Sequence, residues 1–357
     1  MPDIGGLVPQ VKRNCNISDA HYWDSYSLCG LLLRLRELYR SESGIKPWAK
    51  ISQESIGVWI DEREALWHQL RDTDIQNIEI DGQEFDPFQI RRIKSSLHGQ
   101  DLLYGAGYGI TMKPSFFLAD LISKERIDGF DVYIAGNEYA RDLADYPAVL
   151  QGNVIITRLE TIKLLIWQKL EELQCKTAKA GLAYAFAEYG IPEHGEFSEE
   201  TDRTLDVIAR AEAQTYIRHE IGESVEDEKM GNEWKTLISL IPHSKAEIFA
   251  RSVKDILADT SDRGMIRYII DNRLTGSLGF YTVFLSGFRK ILFPEILDAF
   301  SLFTGNRDWS LVENARRTGY QRASYYANKI LACYRREGPD TKKVSGCIDN
   351  EVLSKLG

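Results

Sequence analysis

Apolar residues recur with a helical period from residue 153 to residue 336 of this 357-residue chain. Spacings of three and four residues between apolar positions are typical of helices that bury one face. Pro192, Pro242 and Gly338 interrupt the pattern, because proline and glycine disfavour a continuing helix. The predicted helices span residues 153–175, 178–189, 201–223, 233–241, 243–260, 264–273, 276–303, 308–318 and 320–336. We therefore predict an all-helical bundle over residues 153–336, followed by a loose polar tail over residues 337–357.

The first 150 residues have a less uniform pattern. Residues 1–17 contain glycine and proline and are predicted to be irregular, and helices are predicted over residues 21–40, 52–71 and 114–126. Residues 75–86 alternate apolar and polar positions around Asp81-Gly82, a dipeptide typical of two-residue hairpin turns. Residues 101–112 and 130–136 are further strand candidates. The predicted fold is mainly α: a helical N-terminal region with a small β-sheet insertion, residues 1–150, and then a C-terminal helical bundle.

The predicted helix that ends at residue 223 carries titratable side chains inside its apolar stripe. Leu205 and Ile208 mark this stripe. Glu212, His219 and Glu223 lie within roughly 20° of its centre by the rule of 100° per residue. A buried carboxylate or imidazole needs a partner, a proton or a metal ion. This helix is therefore the predicted location of the functional or structural polar site.

Three interpretations of the site stay open. Glu212 and His219 could form a buried polar network, with each other or with Arg267 or Arg273. They could instead act as a catalytic acid and base without a metal. In the third interpretation the bundle binds a metal ion for redox or hydrolytic chemistry, and Glu160 contributes because it lies among apolar residues of its own predicted helix. The alternative for Glu160 is a salt bridge at the rim of the bundle. The candidate metal ligands are Glu212, His219, Glu223 and Glu160.

The spacing Glu212-x6-His219 is similar to the Glu-x6-His element of the haem-oxygenase-like di-iron proteins. The resemblance covers one helix. It implies a helical bundle that holds iron or manganese and acts as an oxidoreductase on dioxygen, with Glu160 supplying another carboxylate. Those proteins also contain a later His-x3-Asp-x2-His element.

The place of that later element is taken here by Asp255-x3-Asp259-x2-Asp262, which has the spacing but no histidine. The helical wheel directs Asp255 and Asp262 away from the apolar stripe and toward solvent. A second resemblance rests on the segments NCNISDAHYW, LYGAGYG and RHEIGE, which look like an uncharacterised bacterial family. That resemblance implies no activity.

The segment Tyr104–Gly109 is rich in glycine and has two interpretations. Glycines allow backbone N–H groups to approach a phosphate, and a following helix would add its dipole. The segment lacks the third glycine of the dinucleotide-binding fingerprint and has no Gly-Lys-Ser/Thr. A bulged or closely packed turn is therefore the favoured interpretation.

Composition narrows the class of protein. Hydrophobic residues make up 43% and charged residues 27% of the chain, as in globular proteins, and the net charge is −9. This charge argues against a general nucleic-acid or anionic-membrane surface, so we predict neither partner. A protein partner or a homo-oligomer stays open. A basic cluster near the C-terminus is interpreted as a solvated face; its residues are Arg316, Arg317, Arg322, Lys329, Arg335 and Arg336.

The five cysteines are widely spaced and form no Cys-x-x-Cys motif. This pattern predicts neither a disulfide framework nor a zinc knuckle. It favours a reducing compartment, and we predict a cytoplasmic protein.

Overall fold

A computed structural model of the protein describes residues 4–97, 99–109, 112–174 and 180–356. The helices before residue 159 are α1 (Ile4–Tyr22), α2 (Leu28–Ser43), α3 (Gln53–Leu70) and α4 (Ile90–Ser96). The strands are β1 (Ile78–Ile80), β2 (Gln83–Phe85), β3 (Leu102–Tyr108), β4 (Pro114–Ile127), β5 (Phe130–Arg141), β6 (Ala148–Gln151) and β7 (Val154–Arg158). The later helices are α5 (Leu159–Leu173), α6 (Ala180–Ala187), α7 (Glu199–Leu240), α8 (Lys245–Thr260), α9 (Met265–Asp271), α10 (Thr275–Phe284), α11 (Gly287–Leu292), α12 (Pro294–Asn306), α13 (Trp309–Glu337) and α14 (Thr341–Glu351). The predicted fold class is confirmed.

The strands form a hairpin and one curled sheet. The predicted hairpin is confirmed: β1 pairs with β2 across Asp81-Gly82, and both turn residues have positive φ. The larger sheet has the order β3-β4-β5-β7-β6, with only β5 and β7 parallel. Its two edge strands, β3 and β6, approach each other. The Gln151 side chain of β6 donates a hydrogen bond to the carbonyl of Ala106 in β3. The curled sheet encloses an apolar cluster of Leu103, Phe117, Ala119, Tyr133, Ala135 and Ile156.

Two of these strands correct the sequence prediction. Pro114–Ile127 is the strand β4 and not a helix, and Val154–Arg158 is the strand β7, so helix does not begin at residue 153. Residues 116–119 of β4 are buried on both faces of the sheet. A strand buried on both faces is apolar throughout and loses its two-residue period, so the sequence resembles a buried helix.

The N-terminus is also helical and not an irregular lead-in. Leu7, Val11 and Cys15 follow each other at intervals of four residues and pack into an apolar cluster beside β3 and β4. This periodicity outweighs the glycines and proline that suggested a loop. Ser18 and Asp19, which precede the predicted helix over residues 21–40, lie inside α1 and are buried. The second helix begins only after Ser27, whose side chain caps α2.

Several helices of the C-terminal bundle are merged or divided relative to the prediction. The predicted helix over residues 201–223 is part of α7, which has 42 residues and a kink at Gly231. The predicted helix over residues 276–303 is divided into α10, α11 and α12, whereas the last two predicted helices merge into α13. The predicted end of one helix at residue 175 and start of the next at residue 178 lie outside the described residues.

The residues beyond 337 correct the prediction of a loose polar tail. They include the helix α14, in which Val344, Cys347 and Ile348 are buried against the bundle. Cys347 forms a disulfide with Cys333 of α13, which the wide spacing of the cysteines did not indicate. The apolar stripe of α14 is short, and its polar neighbours concealed it in the sequence. In the described residues, no helix has the length and apolarity needed to cross a bilayer.

The predicted core is largely confirmed. Leu205, Ile208, Phe249, Val253, Ile256 and Phe280 are fully buried. Tyr216, Phe284 and Phe288 are only partly buried at the edges of the apolar clusters.

Candidate functional site

The helix α7 lies between the curled sheet and the rest of the bundle. Ser198 begins it with a capping box, in which the Ser198 and Thr201 side chains each accept a backbone N–H. Ile217 and Ile221 face the sheet and join an apolar cluster with β5 and β7. The other side of α7 packs against α8. Titratable side chains of α7 therefore reach two environments: the interior of the bundle and the boundary between sheet and bundle.

Glu212 occupies a pocket of hydroxyl groups in the bundle. It is 5% exposed, and Ser277 donates a hydrogen bond to its carboxylate at 2.6 Å. The hydroxyl of Thr215 lies 3.3 Å from the other carboxylate oxygen, and that of Tyr189 lies 3.5 Å from the first. Burial raises the pKa of Glu212 to about 7, and the hydrogen bonds only partly oppose this shift. No cationic side chain bonds to Glu212 within the described parts of the chain.

His219, two turns further along α7, belongs to a different group of side chains. Its Nδ1 lies 2.6 Å from the carboxylate of Asp259 on α8, which is fully buried. Asp259 also accepts hydrogen bonds from Tyr281 at 3.0 Å and from Arg289 at 2.8 Å. Asp259 is therefore the anionic centre of three donors. We call His219, Asp259, Tyr281 and Arg289, together with Glu223 and Lys254, the charged cluster.

Glu223 and Lys254 extend this cluster toward solvent. The Nε2 of His219 lies 3.6 Å from Glu223, and the ammonium of Lys254 lies 2.5 Å from the same side chain. Lys254 also contacts Asp227 at 2.9 Å. Charges of opposite sign therefore alternate from Asp259 through His219, Glu223 and Lys254 to Asp227.

The proton affinities follow from this alternation. Burial lowers the pKa of His219, but the charge and hydrogen bond of Asp259 outweigh it and hold the pKa well above its ordinary value. Burial raises the pKa of Glu223, yet the hydrogen bond from His219 and the charge of Lys254 lower it to about 2. The pKa of Asp259 likewise lies below its ordinary value, because Arg289 and His219 outweigh its burial. His219 is therefore a cation at neutral pH.

A glycine allows the approach of α7 to α8 at this point. Gly222 lies directly against the backbone carbonyl of Ala258, and a Cβ atom on residue 222 would overlap it. The contact brings His219 of one helix within hydrogen-bonding distance of Asp259 on the other.

Glu220 lies beside His219 and Glu223 on α7 and lines a cleft. The cleft has a volume of about 360 Å³ and lies between α7 and the edge strands β3 and β6. Glu220, Glu223 and Asp227 line one wall, and the rings of Tyr108 and Tyr146 belong to the other. Within the described residues, the carboxylate of Glu220 makes neither a hydrogen bond nor an ion pair. Burial raises its pKa to about 7, and the nearby charge of His219 only partly opposes this shift.

The four predicted site residues differ in burial and do not converge. His219 and Glu212 are both largely buried, as predicted, yet they bond to different partners. Glu160 is exposed on the first turn of α5, beside a separate cleft that Glu138 and Lys163 also line. The expectation that Glu212 and His219 share Glu160 or each other as a partner is therefore wrong.

The partners that the sequence did not reveal are Asp259, Arg289 and Lys254. Arg267, the predicted cation, instead pairs with Asp271 and Glu313. Asp259 follows Ile256 of the apolar stripe by three residues, which could have indicated its burial. Arg289 had no such signal, because it comes from the short helix α11, which non-helical residues separate from α10.

Two family models match the chain. The model of the N-terminal domain of a family of unknown function (DUF6866) matches residues 6–158, and that of its C-terminal domain matches residues 163–353. The chain belongs to the DUF6866 family. Searches of curated proteins and of solved structures gave no match.

Membership of DUF6866 agrees with the resemblance to an uncharacterised family. Nothing in the matches supports the resemblance to haem-oxygenase-like di-iron proteins, and the metal-dependent oxidoreductase is not supported as the function. The two family models meet between residues 158 and 163, where β7 ends and α5 begins. The division of the chain at about residue 150 stays a prediction, as do the bacterial source and the cytoplasmic location.

His219, Glu220 and Glu223 form one of two groups of possible metal ligands among the residues that the structure describes; the other contains the two disulfide-bonded cysteines. One ligand atom from each lies within 4.8 Å of the others, whereas neither Glu212 nor Glu160 belongs to such a group. A metal ion here would have to displace the proton of His219 and the ammonium of Lys254 from Glu223. Glu223 and Asp259 are therefore already paired with cationic side chains of the protein itself.

The glycine-rich segment in this DUF6866 protein is a closely packed strand. The ring of Phe117 occupies the space that a Cβ atom of Gly105 would need, and Tyr146 does the same at Gly109. Among the described residues, the next element after β3 is the strand β4 and not an α-helix that could add its dipole to a phosphate site. The interpretation as a closely packed segment is the one that the geometry favours.

Proposed function

We propose that this protein binds a small organic cation, an amine or a guanidine, in the cleft between the curled sheet and α7. The observation that carries the proposal is the Glu220 carboxylate, which lines the cleft and lacks an ion-pair partner among the described residues. The charged cluster then has a structural role: it holds α7 in place against α8.

The charge of the α7 wall supports a cationic ligand. Glu220, Glu223 and Asp227 are spaced by three and four residues, so their carboxylates lie along one face of the helix. Lys254 bonds to Glu223 and Asp227, but not to Glu220. A ligand cation beside Glu220 would therefore complete the alternation of charges that the protein builds elsewhere in the cluster.

The opposite wall supports an organic cation. Tyr108 and Tyr146 line it, and aromatic rings attract ammonium and guanidinium groups through their electron-rich faces. A carboxylate adds a charge-assisted hydrogen bond to the same group. The volume of about 360 Å³ lies in the range typical of small-molecule sites. The combination suits a primary amine or a guanidine of a few carbon atoms.

The proposal predicts a charge-dependent affinity. Titration calorimetry with putrescine, agmatine and argininamide at pH 8 should detect binding to the full chain. Glu220→Gln should weaken the affinity at least about ten-fold, because it removes the anion and keeps the shape. Glu228→Gln is the matched control, since Glu228 is exposed on the same helix. Its affinity should equal that of the wild type.

The pH dependence gives a second measurement. The pKa of Glu220 is about 7, so the carboxylate that binds a cation is mostly protonated at pH 6 and mostly ionised at pH 8. The affinity should therefore rise about ten-fold between these two pH values and become flat in Glu220→Gln. Equal binding of amines by the wild type and by Glu220→Gln would contradict the proposal. So would stoichiometric zinc or manganese in protein purified without chelator, if His219→Ala abolished it.

A further inference from the structure

A second pocket lies on the other side of the strand β3, at the open side of the curled sheet. It has a volume of about 620 Å³. Its floor contains Leu103, Val154 and Ile156, which belong to the apolar cluster inside the sheet or pack against it. Gly107, Tyr108 and Gln151 line this pocket and also the acidic cleft. The same glycine-rich strand therefore separates two pockets of different character.

The rim of the second pocket is basic. Arg91, Arg92 and Lys94 of α4 line it, and Lys124 of β4 approaches the same tyrosine ring as Lys94. In the described part of the chain, Arg91, Lys94 and Lys124 form no ion pair with a carboxylate. Arg91 and Lys124 are exposed and Lys94 is half-buried, so their charges are accessible to a ligand at this rim.

The basic cluster near the C-terminus provides the contrast. Arg316, Arg317 and Arg335 each pair with a glutamate, as do Arg322 and Arg336. Their positive charge is therefore neutralised within the protein. In the described residues, the basic rim around α4 is not neutralised by carboxylates in this way.

The pKa of the Tyr133 hydroxyl reflects the positive charge at this rim. The ammonium of Lys94 lies 3.0 Å from the centre of its ring, and that of Lys124 lies 5.4 Å away. Burial raises the pKa of Tyr133, but the two lysines outweigh it and bring the pKa below its ordinary value. Anionic groups are therefore favoured at this position.

An exposed aromatic ring stands at the mouth of the pocket. Tyr108 stacks on Phe88 with the ring centres 4.6 Å apart and the planes inclined by 13°. Tyr108 is nevertheless 56% exposed, so much of this residue remains accessible to a ligand. Tyr108 is the last residue of the edge strand β3, which pairs with β4 alone. Backbone groups on this edge other than the Ala106 carbonyl, which bonds to Gln151, are at hand for the edge of a planar ring.

We propose that this pocket binds a nucleoside monophosphate or a closely similar planar ring that carries an anionic group. The ring stacks on Tyr108 above the apolar floor, and the phosphate contacts Arg91 and Lys94. Stacking on an aromatic side chain combined with nearby cations is the arrangement by which proteins hold nucleotides without a phosphate loop.

The test uses the full chain and three probes: AMP, adenosine and inorganic phosphate. Titration calorimetry should show that AMP binds more tightly than adenosine and than phosphate. Arg91→Ala with Lys94→Ala should reduce the affinity for AMP to that for adenosine. Tyr108→Leu should weaken AMP binding about ten-fold, whereas Tyr108→Phe should retain it. Lys290→Ala, which removes an exposed charge on α11, is the control and should bind AMP like the wild type.

Several results would overturn the proposal. One is AMP binding that is undetectable at millimolar concentration, and another is equal binding by the wild type, the Arg91/Lys94 variant and Tyr108→Leu. Phosphate binding as tight as AMP binding would indicate an anion site only. A single-stranded oligonucleotide that binds far more tightly than AMP would assign the surface to nucleic acid instead. Arg91→Ala alone changes an exposed residue, so it keeps the test valid if the double variant does not fold.

The two proposals are tested independently. Glu220→Gln should leave AMP binding unchanged, because Glu220 does not line this pocket. Arg91→Ala should leave amine binding unchanged for the corresponding reason.

Discussion

Glu212 and Glu223 lie on the same face of α7, and the protein accommodates their burial in opposite ways. Glu212 is surrounded by hydroxyl groups, and its pKa rises to about 7. Glu223 lies between His219 and Lys254, and its pKa falls to about 2. One carboxylate is stabilised by a proton and the other by counter-charges. The comparison shows that a buried acid in a helix stripe does not by itself identify a metal site.

The largest effect should come from the anion at the centre of the charged cluster. Asp259→Ala leaves His219 and Arg289 in the interior without their shared carboxylate, so it should lower the free energy of unfolding by about 3–5 kcal/mol. Asp298→Ala is the control, because Asp298 is exposed on α12. Urea denaturation at pH 7 measures both. A loss below about 1 kcal/mol for Asp259→Ala would show that the cluster does not stabilise α7.

The second prediction compares the two glutamates by their pH dependence. The folded-state pKa of Glu212 lies above its unfolded value of 4.5, so its contribution to stability is lost as the pH rises from about 4.5 to about 7. The folded-state pKa of Glu223 lies below that value, so its contribution is present above pH 4.5 and is lost as the pH falls toward 2.

Relative to the wild type, Glu212→Gln should therefore become more stable by about 2 kcal/mol between pH 5 and pH 8. Glu223→Gln should be less stable than the wild type at pH 7, and this difference should shrink as the pH falls below 4.5. Chemical denaturation across this pH range measures both differences. The same sign of pH dependence for the two variants would refute the distinction between them.

A smaller effect is expected from the imidazole itself. His219→Ala should lower the free energy of unfolding by about 1–2 kcal/mol, because Asp259 keeps Arg289 and Glu223 keeps Lys254. The melting temperature should fall while the content of iron, manganese and zinc stays unchanged. Loss of a bound metal at constant melting temperature would instead support the metal interpretation.

The features that the sequence predicts correctly are those that depend on a single helix or a single turn. The burial of Glu212 follows from the periodicity of α7, and the Asp81-Gly82 hairpin follows from local turn chemistry. The charged cluster combines His219 of α7 with Asp259 of α8 and Arg289 of α11, so its convergence is a property of the packed bundle that no periodicity contains. Arg289 illustrates this limit, since it lies on α11, 30 residues beyond Asp259 in the chain.

The sheet shows another limit. The strand β4 is buried on both faces over residues 116–119, so neither a two-residue nor a helical period distinguishes it. The curling of the sheet, which brings Gln151 to Ala106, depends on contacts between segments 45 residues apart. Both proposed pockets form along this junction, and the glycine-rich segment was the only part of it that the sequence singled out.

The absence of a side chain at Gly222 affects the acid–base behaviour of His219. Because this residue has no side chain, the backbone of α7 can rest on the carbonyl of Ala258, and His219 reaches Asp259 at 2.6 Å. Any larger residue would make α7 thicker here and move the imidazole away from the carboxylate that keeps it protonated. The charge of His219 is thus controlled by the diameter of the helix one turn further along the chain.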